Sequence, residues 1–273
     1  MYLQILKFSY SVLPRVLIRN LFKLIELSHI KKIYRSQSDE SKIIENMIFT
    51  NNVNKKPIWF FEFGISPTEF NCALLSKFGH LGQVVDSNPF NTMAARKVLH
   101  KNTKVLEKLL SPIDLKLTLS EENFSIISID VDGNDYEFAE IALHHNRPDI
   151  LIVEYNQSFA DLKVKVPYSK DFNRYNFNGA YHGASILALL NLAHKYGYCL
   201  YDISENATNA FFAPSELWTK LKCSLTLEKA FRLNSSVGRA LVKNKSAHQL
   251  FQEINGFPLE YLDDNNFPCL AKE

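Results

Sequence analysis

The 273-residue chain carries almost no excess charge: 31 basic and 29 acidic side chains leave a formal net charge of +2. That excludes the broad basic field on which nucleic-acid binding depends, so an anionic partner would have to be met by a local patch. Cysteine is scarce as well. Cys72, Cys199, Cys223 and Cys269 form no Cys-x-x-Cys pair and no Cys/His ligand spacing, which removes a zinc site and a disulfide framework and leaves reduced, buried thiols as the expectation. No apolar run reaches bilayer length, because Lys7, Arg15, Arg19 and Lys23 interrupt the apolar N-terminus. No small-residue cleavage site follows it, so a soluble, cytoplasmic chain is expected. No internal repeat is visible.

With 46% hydrophobic and 22% charged residues, the chain has enough apolar material for one sizeable core plus extra elements at either end. Over residues 16–30 the apolar positions recur at helical spacing, while Arg15, Arg19 and Lys23 fall on one ridge. A helix packed on the core or on a dimer mate, with that ridge solvated, is favoured over attachment to an anionic membrane surface. Residues 36–42 and 51–56 are polar and read as linker.

Beyond them, short apolar runs alternate with helical segments. The runs are PIWFFEFG, GQVVD, FSIISIDVDG, DILIVEYN, GYCLYDI and NAFFAP. Helices are predicted over 68–78, 91–100, 135–145 and 184–196. Continuous apolar runs of this kind are strands buried on both faces of a parallel sheet. The last two runs are separated only by 204–208, too short for a crossover helix, so an antiparallel hairpin should close the sheet. The expected fold is α/β and Rossmann-like, mostly parallel with a C-terminal antiparallel hairpin. Its core spans 51–214, between an N-terminal helical extension (1–50) and a C-terminal appendage (215–273) with helices near 216–221 and 247–254.

In such sheets ligands bind beyond the carboxyl ends of the strands. The first run ends in Glu62, Phe63 and Gly64, the second in Asp86. Glycine at the first turn lets backbone approach a ligand, and an acid roughly 20 residues on can accept from both hydroxyls of a ribose. Ser66 and Pro67 stand where further glycines would be expected. The segment SIDVDGNDY crowds Asp130, Asp132 and Asp135 around Gly133, and crowded carboxylates repel unless a cation or proton lies among them. Asp132, Gly133 and Asn134 also suit a turn, with Asp135 capping the next helix. Glu154, Tyr155 and Asn156 end the following strand, and Asp130, Asp132 and Glu154 together suit Mg²⁺ or Mn²⁺. His182, in YHGAS just before a helix, is a candidate general base.

The segments SIDVDGNDY, PDILIVEYNQSF, VPYSKDF, YHGASILALL, GYCLYD and NAFF resemble the FkbM-like group of bacterial S-adenosylmethionine (SAM)-dependent methyltransferases, over roughly residues 60–213. The resemblance implies SAM as cofactor, with Glu62 and Gly64 against its methionine part and Asp86 at its ribose. It further implies that Asp130 and its neighbours face the acceptor, a sugar, nucleotide-sugar or glycan in surface-polysaccharide modification. Asn134, Tyr136, Asn156 and Tyr168 are the candidate substrate contacts. The expected chemistry is O-methylation, with a hydroxyl bound and acidified by a divalent ion on Asp130, Asp132 and Glu154 and its proton taken by His182. Three alternatives compete. Asp130-Val131-Asp132 is also the DxD pattern of glycosyltransferases that hold a nucleotide-sugar through a metal. It equally resembles the nucleophile segment of haloacid-dehalogenase-like phosphatases, for which only Asp263 and Asp264 could supply the second acidic pair. The weakened glycine loop would also suit a non-catalytic scaffold of the same fold.

Overall fold

A computed structural model of the protein describes residues 34–50, 58–159, 161–177, 179–217, 227–230, 252 and 256–262. The basic N-terminal ridge, residues 51–56, Cys223, Cys269, Asp263 and Asp264 lie outside the described residues, as does most of the C-terminal appendage. The element order is α1 (Glu40–Thr50), β1 (Trp59–Phe63), α2 (Ala73–Lys77), β2 (Leu81–Asp86), α3 (Pro89–Val98), β3 (Thr103–Glu107), α4 (Pro112–Glu121) and β4 (Ile126–Ile129). There follow α5 (Asp135–His145), β5 (Ile150–Glu154), β6 (Val164–Lys165), α6 (Ile186–Lys195), β7 (Tyr198–Ile203), β8 (Asn209–Pro214) and β9 (Glu260–Tyr261).

Seven strands form one sheet in the order β3-β2-β1-β4-β5-β8-β7, and β6 pairs separately with β9. Pairing is parallel from β3 through β5, while β8 runs antiparallel to both β5 and β7. The β7-β8 hairpin is the expected closure, but β8 rather than β7 joins the parallel strands. This is the α/β, Rossmann-like sheet of the SAM-methyltransferase type, with its crevice where the order reverses beside β1.

Period-two alternation sorts the strand residues into two layers. Phe60, Ile126, Ile150, Ile152 and Phe211 pack with α1, α2 and α3. Phe61, Phe63, Ile127, Ile129, Leu151, Val153 and Phe212 pack with α4, α5 and α6. The central strands are buried on both sides, which is why they appear as unbroken apolar runs. Cys72 and Cys199 are buried free thiols, as expected.

The polar stretch 36–42 does not behave as linker. Arg35 and Phe70 are joined through backbone, Asp39 accepts from the Glu205 amide at 2.9 Å, and Glu40 opens α1 fully buried. Ile43, Ile44 and Met47 then enter the sheet's core, so the core reaches back beyond residue 51. Besides the short pair β6 and β9, two elements of the main domain were not foreseen. TKVLE forms the edge strand β3, and Ser111 with Asp114 forms a capping box that starts α4 at Pro112. Among the described residues no helix is long and apolar enough to cross a membrane.

Candidate active site

The carboxyl ends of β1 to β5 open on a cleft of about 990 Å³. Two glycines allow its floor to form. Gly64 has φ +77°, and a Cβ there would lie 1.3 Å from the Asp130 carbonyl oxygen. It serves a close approach of the β1 and β4 tips, and it also lines the cleft. Gly133 passes the Phe172 ring so closely that a Cβ would meet it at 2.1 Å.

At the β1-β2 end of the cleft, Asp86 accepts from the Ile65 amide at 2.8 Å and the Asn88 amide at 2.6 Å. It ties the first turn to the second. Burial raises its pKa, an effect that these amides oppose. Asn91 Nδ2 donates to Asp86 as well, at 3.4 Å, and a carboxylate has about four acceptor sites, so about one remains. Glu62 does not face the cleft. It is fully buried, and its two oxygens accept from the Asn71 and Cys72 amides at 2.7 and 2.8 Å. The expected contact between Glu62 and a ligand is therefore replaced by anchorage of the segment leading into α2. Burial pushes its pKa up to about 7.

At the β4-β5 end the acids converge, in a different combination from the one expected. One oxygen each of Asp130, Asp135 and Glu154 lies within 4.8 Å of the others. Asp132 turns away because it adopts the left-handed conformation, φ 58°, which aspartate tolerates better than most residues. Its carboxylate pairs with Arg174. Asp135 braces the turn rather than capping the helix, accepting from the Val131 amide at 2.8 Å and the Gly133 amide at 3.0 Å. Burial raises Asp135 to about 7 and Glu154 to about 8, and burial with the nearby acids raises Asp130 well above the ordinary carboxylate range. Buried carboxylates this close repel unless a proton or a cation lies among them.

The positive charge in this cluster comes from Arg174, which no sequence motif had singled out. Its Nη1 reaches Asp132 and, at 3.4 Å, Glu154 Oε1. Its Nη2 lies 2.8 Å from His182 Nε2. The acids expected to hold Mg²⁺ or Mn²⁺ are therefore regrouped: Asp132 pairs with Arg174, and Asp135 takes its place beside Asp130 and Glu154. His182 is buried, and burial, with Arg174 beside it, holds its pKa well below the usual value. A DxD-type clamp fits poorly, since Asp130 and Asp132 face different partners.

Asn134 and Asn156 line the cleft but act as braces. Asn134 exchanges hydrogen bonds with the Ser169 backbone at 2.9 and 3.2 Å. Asn156 donates to the Ala180 and His182 carbonyls at 2.8 and 2.9 Å. Together they fix the segment that delivers Arg174 and His182. Tyr136 lies off the cleft beneath Lys165, whose Nζ is 5.0 Å from its ring centroid. Tyr168 is exposed at the cleft's edge.

No protein-family model matches the chain, and no curated protein does. Solved structures do match. One is a protein described as a hemolysin from Streptococcus thermophilus, with 12% identity and a TM-score of 0.42 over 70% of this chain and 72% of that one. Another is a TehB-like SAM-dependent methyltransferase from Corynebacterium glutamicum, with 14% identity and a TM-score of 0.40 over 68% and 93%. A third is the magnesium protoporphyrin IX methyltransferase of Synechocystis, with SAM bound, at 10% identity and a TM-score of 0.38 over 72% and 95%. Scores of this size leave the architecture to rest on the strand order itself.

Proposed function

We propose that the protein is a SAM-dependent O-methyltransferase of the FkbM-like group that acts on a hydroxyl of a sugar, nucleotide-sugar or glycan, in bacterial surface-polysaccharide modification. The observation that carries this reading is the strand order: the Gly64 turn and Asp86 meet at its reversal point, beside a cleft whose far end is rich in buried acids. Asp86 lines the cleft and, after accepting from Ile65, Asn88 and Asn91, keeps one of its roughly four acceptor sites. A carboxylate at that strand end with acceptor capacity to spare suits a hydroxyl donor such as the ribose of SAM.

The cofactor supplies an electrophilic methyl on a sulfonium, which needs little activation. The chain's tasks are to align the acceptor and to remove its proton. Methylation of the acceptor oxygen, with the methyl that bound SAM would supply, would release the hydroxyl proton to the Glu154 and His182 pair. Glu154, held near 8 by burial, has a proton affinity matched to work around neutrality. Asp130 and Tyr168 border the space left for the acceptor.

The test is transfer of a labelled methyl from SAM to a panel of nucleotide-sugars and glycans, read by mass spectrometry. A methylated sugar product that disappears with Glu154→Gln supports the assignment. Methylation confined to non-sugar hydroxyls would remove the acceptor class and leave the reaction.

A further inference from the structure

Arg174 is used by none of the motifs, yet it is the most heavily committed side chain of the cleft. A guanidinium has five N–H donors and no acceptor. Here Nε donates to the Gly179 carbonyl at 3.3 Å, and Nη2 donates to the same carbonyl at 3.2 Å and meets His182 Nε2 at 2.8 Å. Nη1 serves Asp132 and, at 3.4 Å, Glu154 Oε1. All five donors are placed, so none is left over for a substrate.

Its charge sits where charge is needed: it pairs with Asp132 and Glu154, and an oxygen of Asp130 lies within 4.8 Å of one of Glu154. A second observation comes from His182. Its side chain is only 9% exposed, its Nδ1 has no hydrogen-bond partner, and Nδ1 points at Glu154 Oε2, 3.7 Å away, which has none either. Since a guanidinium can only donate, His182 Nε2 must accept, and the ring's one proton lies on Nδ1, facing Glu154.

We propose that Arg174 is a positioning residue: the resident cation of the acceptor pocket, standing in for a divalent ion among Asp132, Glu154 and Asp130, and fixing His182 as the neutral Nδ1–H tautomer. In consequence Glu154, rather than His182, receives the proton of the acceptor hydroxyl. This last clause rests on the methyl-transfer reading; the cation and the tautomer do not.

The full chain is titrated with Mn²⁺, with free ion followed by electron paramagnetic resonance, and the His182 tautomer is read from imidazole ¹⁵N shifts. Wild type should show no Mn²⁺ site that depends on Asp130, and an Nδ1–H His182. Arg174→Ala should bind Mn²⁺ at least about tenfold tighter than wild type, and Asp130→Asn added to it should abolish the gain. Arg174→Lys keeps a charge but not the fork; it should still exclude Mn²⁺ while His182 loses its fixed tautomer. Wild-type Mn²⁺ binding that Asp130→Asn removes, or a His182 that is an imidazolium or the Nε2–H tautomer, overturns the proposal. Both are wild-type or Asp130 measurements, so they decide even if Arg174→Ala does not fold. S-adenosylhomocysteine binding is read on the same samples. Its absence removes the methyl-transfer reading and the proton-acceptor clause with it, while the Mn²⁺ and tautomer results still judge Arg174.

Discussion

At Gly64 one absent carbon lets the tips of β1 and β4 touch. Gly64→Ala would place a Cβ 1.3 Å from the Asp130 carbonyl in a left-handed backbone, so about 3 kcal/mol or more of stability should be lost in denaturant unfolding. Gly179 gives the contrast. It has a similar φ of +76° but nothing within 4 Å of an added Cβ, so Gly179→Ala should cost only about 1 to 2 kcal/mol. Glu62 carries the pH behaviour of the buried anchor. Its folded pKa, about 7, lies above the ordinary glutamate value of 4.5, so between these values the folded chain binds more protons than the unfolded one. Its contribution to stability is full below about 4.5 and declines as pH rises to about 7. In Glu62→Gln that decline should flatten in melts taken across the window. The same variant should cost about 1 to 3 kcal/mol, since an amide cannot accept from two backbone N–H groups with two oxygens. An unchanged pH slope would mean that Glu62 is ionised throughout.

At the scale of elements, α1 lies within the core although its approach is polar. Ile44→Ala should destabilise by about 2 to 5 kcal/mol, and a loss below 1 kcal/mol would show that α1 packs loosely. Helix α5 was legible to the residue because Asp135 follows a strand and a turn, and its apolar positions keep helical spacing. The segment TKVLE was not legible as β3, because only two adjacent residues are apolar, both half-buried, and no unbroken apolar run marks it. Arg174 escaped for a different reason. Nothing around it forms a motif, and the only signal was the demand of the crowded acids for a cation, which pointed equally to a metal. Likewise the backbone partners of Asn134 and Asn156 come from a distant segment, so their bracing role leaves no trace in local sequence.

For the whole molecule, the sheet order brings two chemically different ends to one rim: Gly64 and Asp86 at β1 and β2, and the acids with Arg174 and His182 at β4 and β5. The division predicts separable phenotypes. Glu154→Gln should lower turnover by about 10² or more, the scale of a positioned base, with cofactor affinity nearly unchanged. Asp86→Ala should do the reverse, weakening S-adenosylhomocysteine by about 1.5 to 3 kcal/mol. Asp86→Asn, which keeps one oxygen acceptor, should lie between. Calorimetry of S-adenosylhomocysteine with the full-length wild-type chain, followed by Asp86→Ala, tests the central claim most directly. Wild type should bind one molecule per chain saturably, and the substitution should weaken that binding about tenfold or more. No heat and no thermal stabilisation of the wild type at millimolar ligand would contradict that claim.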